Sequence, residues 1–269
     1  MCIRDSYDTL LFQARQDSQI ILHNQTHLQS PSGENLIPLG ESNLIYKAID
    51  LVRSKLEQQN GMDVWITKRI PTQAGLGGAS GNAAGALLAA NWMYDGRLEH
   101  ESLTELAGEL GSDVPFFLFG GTARCLGRGE RVTPLKSHSG IPVVLAKPPV
   151  GLSTAKVFDH CTAAASPVSS KGLLNQLSRG QPALFGKQMF NRLEMAASEL
   201  TDWISRLKST FTRLSCHSHQ MSGSGSTYFG VFSTRIEAQR AANCLSNQHR
   251  DASIFACETL CCPHPHHSC

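Results

Sequence analysis

The chain has 269 residues, of which 41% are hydrophobic and 17% are charged, and its formal net charge is +2 at pH 7. This composition is typical of a globular protein with one large or two modest domains, and the small charge favours neither nucleic acid nor a membrane surface as a partner. No apolar run is long enough to span a membrane and no secretory signal pattern opens the chain, so we expect a cytoplasmic protein.

The amino-terminal quarter contains few strong signals. Residues 1–6 show no strand or helix pattern, and Ser18 to Leu22 alternate weakly, which is typical of a strand. Residues 30–40 are rich in Ser, Pro and Gly and predict a loop. Asn43 is a candidate cap for a helix whose apolar residues recur at helical spacing.

A glycine-rich loop lies between a predicted strand and a predicted helix. The strand covers Val64 to Ile70, the loop reads Pro-Thr-Gln-Ala-Gly-Leu-Gly-Gly-Ala-Ser-Gly from Pro71 to Gly81, and an uncharged helix follows to Tyr94. Glycines let the main chain approach a ligand, and the free N–H groups and positive dipole end of the helix attract anions. The pattern therefore predicts a phosphate site before a buried helix, with Ser80 or Asn82 either capping that helix or donating to a phosphate oxygen; a plain turn is the alternative.

An aspartate follows the next predicted helix. Apolar residues at helical spacing predict a helix that ends at Gly111, and Ser-Asp-Val-Pro-Phe-Phe comes directly after it. Asp113 is therefore held by neighbours that pack, and it is either a functional carboxylate or a turn residue. Gly120 to Glu130 predicts a strand and a hairpin, and Ile141 to Ala146 is an apolar strand, near which we place a domain boundary.

The second half of the chain predicts alternating strands and helices around another glycine loop. Met221 to Thr227 reads Met-Ser-Gly-Ser-Gly-Ser-Thr and leads into a predicted strand from Tyr228 to Phe232. Helices are predicted from Trp203 to Leu214 and from Ile236 to Leu245, before a last strand from Ser253 to Ala256. This order suits an α+β domain.

The cysteines favour a reduced protein. There are nine in the chain, and most are scattered without metal-ligand spacing, so we expect them to be reduced apolar residues. Residues 261–269 are rich in Cys and His and could bind a soft metal, although a frayed end is the favoured interpretation.

Three of these motifs resemble those of the GHMP kinases, and they stand in the same order. Pro71 to Ser80 is similar to the Pro-x-x-x-Gly-Leu-Gly-Ser-Ser signature of that family, and Gly111 to Pro115 to the run that carries its catalytic aspartate. Ser222 to Gly225 is similar to its Gly-Ser-Gly loop. The resemblance implies a two-domain α+β fold: an ATP-binding domain at 1–140 with the phosphate loop and buried helix, a ferredoxin-like α+β domain at 141–260, and a tail at 261–269.

The resemblance also implies roles for particular residues. ATP and Mg²⁺ would be the cofactors, Asp113 would be catalytic, and no residue is assigned to the metal. Thr154 and Phe158 match residues that border the substrate, a cytidyl-linked sugar alcohol, in the similar kinases; a core aromatic is the alternative for Phe158. We expect a monomer or weak dimer. The residues expected to bind ATP are Pro71, Ala74, Gly75, Leu76, Gly77, Gly78, Ala79, Ser80, Gly81, Ser222, Gly223, Ser224 and Gly225.

Two departures from the family pattern leave alternatives open. The family begins with a strand carrying Lys-x-Asn-Leu, whereas Tyr7 follows six unrelated residues, so we expect an amino end that is truncated or replaced. Gly81 stands where relatives carry a second serine. The main hypothesis that the resemblance implies is an ATP-dependent kinase of a cytidyl-linked sugar alcohol. A nucleotide-binding protein without catalysis, or a kinase for another small alcohol such as mevalonate or homoserine, stays beside it as an alternative.

Overall fold

The computed structural model describes residues 7–26, 37–135, 140–162, 168–177 and 188–260. The predictions for residues 1–6 and 261–269, and for most of the loop at 30–40, lie outside these ranges.

The first half of the described chain forms a mixed sheet, four helices and a hairpin. These elements are β1 (Thr9–Ala14), β2 (Ile20–Asn24), α1 (Leu44–Lys55), β3 (Met62–Thr67), α2 (Gly78–Met93), α3 (His100–Leu110), α4 (Val114–Phe119), β4 (Thr122–Leu126) and β5 (Arg131–Leu135).

Strand β3 is the centre of the three-stranded sheet. It pairs antiparallel with β1, where Thr9 lies opposite Thr67, and parallel with β2. Met62, Val64 and Ile66 are fully buried and alternate with partly buried residues, because successive side chains of a strand point to opposite faces. The buried face packs with α1, α2 and α3 in one hydrophobic core.

Helix α2 is central to this core, as its lack of charge predicts. Ala83, Ala86, Leu87 and Ala90 are fully buried in it. Small residues let α1 and α4 approach the helix closely, so the loop that precedes α2 is attached to a rigid element. Trp92, near the end of the helix, is 79% exposed, so burial of α2 is not complete all round.

The second half of the described chain forms an antiparallel four-stranded sheet with helices. Its elements are β6 (Pro142–Lys147), α5 (Thr154–Asp159), α6 (Lys171–Leu177), α7 (Leu193–Leu200), α8 (Asp202–Arg213), β7 (Ser218–Met221), β8 (Tyr228–Val231), α9 (Arg235–Gln248) and β9 (Ser253–Glu258).

The spatial order of this sheet is β7-β8-β6-β9, with β6 antiparallel to both β8 and β9. This is the arrangement of a ferredoxin-like unit, in which the first strand lies between the third and the fourth. The predicted α+β second domain is therefore confirmed.

Strand β6 joins two cores, which explains why its sequence is continuously apolar. Val144 and Ala146 pack with the helices of the second half, whereas Val143 and Leu145 lie on the other face. That other face also buries Leu76 of the glycine-rich loop. The first loop is therefore packed against the second sheet as well as attached to α2.

One local prediction is wrong. Neither Ser80 nor Asn82 caps α2, because the helix begins earlier, at Gly78, and its cap is Gly77 in the left-handed conformation with φ 67°. The backbone of Gly77 therefore makes the turn that a polar side chain was expected to make.

Candidate active site

The first glycine loop changes direction at residues that only glycine suits well. Gly75 and Gly77 have φ values of 68° and 67°, and Gly77 leads directly into α2. The first N–H groups of α2 have no acceptors within the helix, and they carry its positive dipole end. The structure thus confirms the strand, loop and helix order that favours an anion at this place.

The second glycine loop lies directly against the first. The hydroxyl of Ser222 donates to the carbonyl oxygen of Gly75 at 2.8 Å, and the N–H of Thr227 donates to the carbonyl of Ala74 at 3.2 Å. A Cβ placed on Gly75 would lie 2.1 Å from the carbonyl oxygen of Ser222, which is far inside van der Waals contact. The two predicted phosphate motifs are therefore in direct contact with each other.

The second loop is itself a tight turn with buried hydroxyl groups. Gly223 and Gly225 have φ values of 55° and 87°, and the N–H of Gly225 donates to the carbonyl of Ser222 at 2.9 Å. Ser222 and Ser224 are 3% and 9% exposed. The buried Ser222 hydroxyl is used in the contact with Gly75, so it holds the two loops together.

Asp113 lies at the start of α4 and is exposed. The next two residues, Val114 and Pro115, are buried, so the backbone on one side of the carboxylate is fixed. Burial, together with the Asp113 carboxylate, raises the pKa of the Cys125 thiol in β4.

Helix α4 also reaches the first glycine loop. A Cβ on Gly77 would lie 2.5 Å from the ring of Phe117, and one on Gly81 would lie 3.4 Å from it. Phe117 is four residues after Asp113, and residues at this spacing share one face of a helix. Asp113 directly precedes the short helix whose Phe117 side chain lies against the loop.

The predicted substrate residues adjoin the second glycine loop. The hydroxyl groups of Thr154 and Ser224 are 2.9 Å apart, within hydrogen-bond distance. Phe158, one turn along α5, is 59% exposed, so it is not a core aromatic; Val157 is the buried residue of this helix. The exposed ring is available to a ligand.

Not every residue of the first motif offers a side chain to a ligand. Ala74 and Leu76 are 2% and 5% exposed and pack in the core that includes β6. Any contribution they make to a bound nucleotide comes from their main chain. Ser80 lies within the first turn of α2, whose first N–H groups have no acceptor within the helix.

Sequence reasoning missed an ion pair beside the first loop. The carboxylate of Asp8 accepts a hydrogen bond from the ammonium of Lys68. It also accepts from the main-chain N–H groups of Arg69, at 2.8 Å, and Ile70, at 2.9 Å. The Lys68 ammonium is also 3.1 Å from a Cβ built on Gly78, at the start of α2. The position of Lys68, just before the glycine loop, is the feature of the sequence that could have suggested this ion pair.

A buried lysine that was also missed supports the loop after β6. Lys147 is 8% exposed, and its ammonium donates to the carbonyls of Pro148 and Val150. Burial lowers its pKa. The same loop meets the first glycine loop, because the N–H of Leu152 donates to the carbonyl of Gln73 at 3.3 Å.

Within the described part of the chain, no three His, Cys, Asp or Glu side chains come together as a metal site. In the same residues, none of the helices has the length and apolar character needed to cross a membrane.

Comparison with known proteins places this geometry in a family. Residues 43–121 match the model of the GHMP kinases N terminal domain, and residues 173–251 match that of the GHMP kinases C terminal domain. The chain belongs to the GHMP kinase family and is a small-molecule kinase that uses ATP.

Individual members of this family that are similar to the chain include one curated protein and one crystal structure of the same kind of kinase. A protein of Shouchella clausii named 4-diphosphocytidyl-2-C-methyl-D-erythritol kinase is 35% identical over 78% of this chain and 71% of its own length. A crystal structure of 4-(cytidine 5'-diphospho)-2C-methyl-D-erythritol kinase is 31% identical, with a TM-score of 0.73 over 93% of this chain and 85% of that one.

A homoserine kinase from Cytophaga hutchinsonii has a TM-score of 0.78 at 18% identity, over 94% of this chain and 86% of that one. It shares the fold.

The contact between the loops gives a direct prediction. Because a methyl group on Gly75 would collide with Ser222, we expect Gly75→Ala to weaken ATP binding by at least about tenfold, measured by calorimetric titration. Gly96→Ala is the matched control, since Gly96 also has a positive φ (61°) but nothing lies within 4 Å of its Cβ position. Equal affinity of the two variants would show that the contact is unimportant for the nucleotide.

Proposed function

We propose that the chain transfers the γ-phosphoryl group of ATP to the 2-hydroxyl of 4-diphosphocytidyl-2-C-methyl-D-erythritol, a step of the non-mevalonate (MEP) isoprenoid pathway. The observation that carries the proposal is the contact between the two glycine loops, beside α4 with its exposed Asp113. The names of the similar proteins support the choice of substrate.

In this proposal the first loop and the start of α2 bind the phosphates. The residues with a main-chain N–H group or a hydroxyl to offer are Gly75, Gly77, Gly78, Ala79 and Ser80, and the second loop adds Gly223 and Ser224. The N–H groups of Gly81, Ser222 and Gly225 already donate to carbonyl oxygens of the chain. Phosphoryl transfer needs little covalent chemistry, so catalysis depends on holding the two oxygens in line and on stabilising the developing charge. Fixed N–H donors meet both requirements, since they need no reorganisation during the reaction.

Asp113 is proposed to accept the proton of the substrate hydroxyl, or to orient that hydroxyl towards the phosphorus. Its anchored backbone limits the positions that the carboxylate can take. A carboxylate in hydrogen-bond reach of the hydroxyl supplies general base catalysis. The ring of Phe117, which belongs to the same short helix, lies against Gly77 of the phosphate loop.

Mg²⁺ is proposed as the metal. It binds to phosphate oxygens and water with only one or two protein ligands, so it needs no cluster of three acidic or imidazole side chains, and the described residues contain none. Ser80 and Asp113 are the residues of this site that could hold it. When bound, the ion would neutralise charge on the transferring phosphates.

The substrate is proposed to lie along α5. Thr154 borders the second loop, and the exposed ring of Phe158 offers an apolar face on which a pyrimidine can stack. Alcohols without an aromatic base, such as mevalonate or homoserine, would gain nothing from stacking on this ring, and a protein that binds ATP without catalysis would not depend on the Asp113 carboxylate. These alternatives are outcomes of the experiments below.

Three further points belong to the proposal. Residues 1–140 and 141–260 would form the two domains, because one core lies wholly in the first half and another wholly in the second. A small third cluster, in which Leu76 packs with β6, joins residues of both halves. The protein is proposed to be a monomer or weak dimer. The free thiols of Cys125, Cys161, Cys216 and Cys244 suit the reducing cytoplasm.

The first test replaces the proposed base. We expect Asp113→Asn to lower turnover by about 10²- to 10⁴-fold, because the amide cannot accept the proton. ADP release with the cytidyl substrate gives the rate, and ³¹P NMR of the product identifies the phosphorylated hydroxyl.

Asp251→Asn makes the same chemical change at an exposed position and is the control. Unchanged turnover in Asp113→Asn would remove the aspartate from the mechanism. Binding of ATP without transfer to this alcohol by the unmodified chain would contradict the substrate assignment.

The second test concerns substrate selection. We expect Phe158→Ala to raise the KM of the cytidyl substrate about tenfold, since stacking on an aromatic ring contributes roughly 1–3 kcal/mol. The KM of ATP should stay the same. Ile236→Ala removes another exposed apolar side chain and is the control. An unchanged KM for the cytidyl substrate would mean that Phe158 does not contact it.

A further inference from the structure

Asn191 holds the second glycine loop through both hydrogens of its side-chain amide. Its Nδ2 donates to the carbonyl oxygens of Met221 and Gly223, each at 2.8 Å. Its Oδ1 accepts from the N–H of Leu193 at 3.0 Å, at the start of α7. Every polar atom of this amide is therefore fixed, and the group bridges the helix start and the loop.

Glu194, in the first turn of the same helix, holds the other side of Met221. Its Oε2 accepts from the N–H of Met221 at 3.1 Å, and its Oε1 pairs with the ammonium of Lys208 at 2.7 Å. The Glu194 side chain is only 12% exposed. Asn191 and Glu194 thus bind the carbonyl and the N–H of one residue, the last of β7.

These contacts continue to the first glycine loop. Met221 precedes Ser222, whose hydroxyl donates to the carbonyl of Gly75. Gly223, the second carbonyl held by Asn191, would place a Cβ 3.2 Å from the same Gly75 oxygen. A shift of the turn would therefore displace the contact between the loops, where the proposed function has the phosphates of ATP.

We propose that Asn191 and Glu194 are positioning residues for the phosphates of ATP, which they influence through the second glycine loop without touching the nucleotide. This inference rests on the proposed function only in its assumption that the phosphates bind at the two loops. It does not depend on which alcohol is phosphorylated.

The chemistry of the two side chains suggests discriminating variants. Asn191→Asp keeps the shape but places a carboxylate oxygen where the amide donated, so it repels the two carbonyl oxygens. Glu194→Ala leaves the N–H of Met221 without its acceptor, whereas Glu194→Gln keeps an acceptor in that place. The glutamine variant should therefore behave as the parent chain does.

The experiment measures the dissociation constant of ATP by calorimetric titration for each variant of the full chain, together with its thermal unfolding midpoint. We expect Asn191→Asp and Glu194→Ala to weaken ATP binding by roughly tenfold or more, and Glu194→Gln to restore it to within about twofold of the parent. Controls are Glu199→Gln, an exposed residue of the same helix, and Asn243→Asp, an exposed residue of α9.

Other outcomes overturn the proposal. Unchanged ATP affinity in Asn191→Asp and Glu194→Ala would exclude a positioning role. If Glu194→Gln and Glu194→Ala weaken ATP binding equally, and each also lowers the thermal unfolding midpoint, then Asn191 and Glu194 only stabilise the fold and do not position the phosphates. A parent chain that binds ATP but does not phosphorylate the cytidyl substrate contradicts the proposed function alone, since the affinity comparison still stands.

Discussion

The contact between the two glycine loops is the constraint on which the rest of the site depends. The main chains approach so closely at Gly75 that no side chain fits between them, and the Ser222 hydroxyl closes the contact. Glycine is the residue that allows both this approach and the positive φ angles on each side. The conformational freedom that these glycines lose on folding is offset by the packing of the elements around them.

Each glycine loop is fixed in place by the helices and strands to which it is attached or against which it packs. The first loop leads into α2, which lies in the core of the first half, and its Leu76 side chain packs beside β6. The second loop lies between β7 and β8 and is held at Met221 by Asn191 and Glu194. An anion site with fixed donors can therefore form where the two halves of the molecule meet.

Local sequence patterns predicted the elements that carry the chemistry. The strand, glycine loop and apolar helix around Gly75 are continuous in sequence, and so are the helix end and turn that carry Asp113. Periodicity and glycine placement report directly on such segments. They failed at the cap of α2, where Gly77 turns the backbone itself and the helix starts before the polar side chains.

Those local patterns could not predict contacts between residues that are far apart in the sequence. Ser222 and Gly75 are separated by 147 residues, and Asp8 and Lys68 by 60. The role of Asn191 could not be predicted from its neighbours in sequence, because its two carbonyl partners are 30 and 32 residues further along the chain. The exposure of Phe158 likewise depends on which face of α5 meets α7, and helical spacing alone left that open.

The most direct test of the account is a structure of the chain with a non-hydrolysable ATP analogue and Mg²⁺. The account predicts that the phosphates lie at the start of α2, within hydrogen-bond distance of the N–H groups between Gly75 and Ser80, with the second glycine loop beside them. A nucleotide whose phosphates lie away from both loops would contradict it.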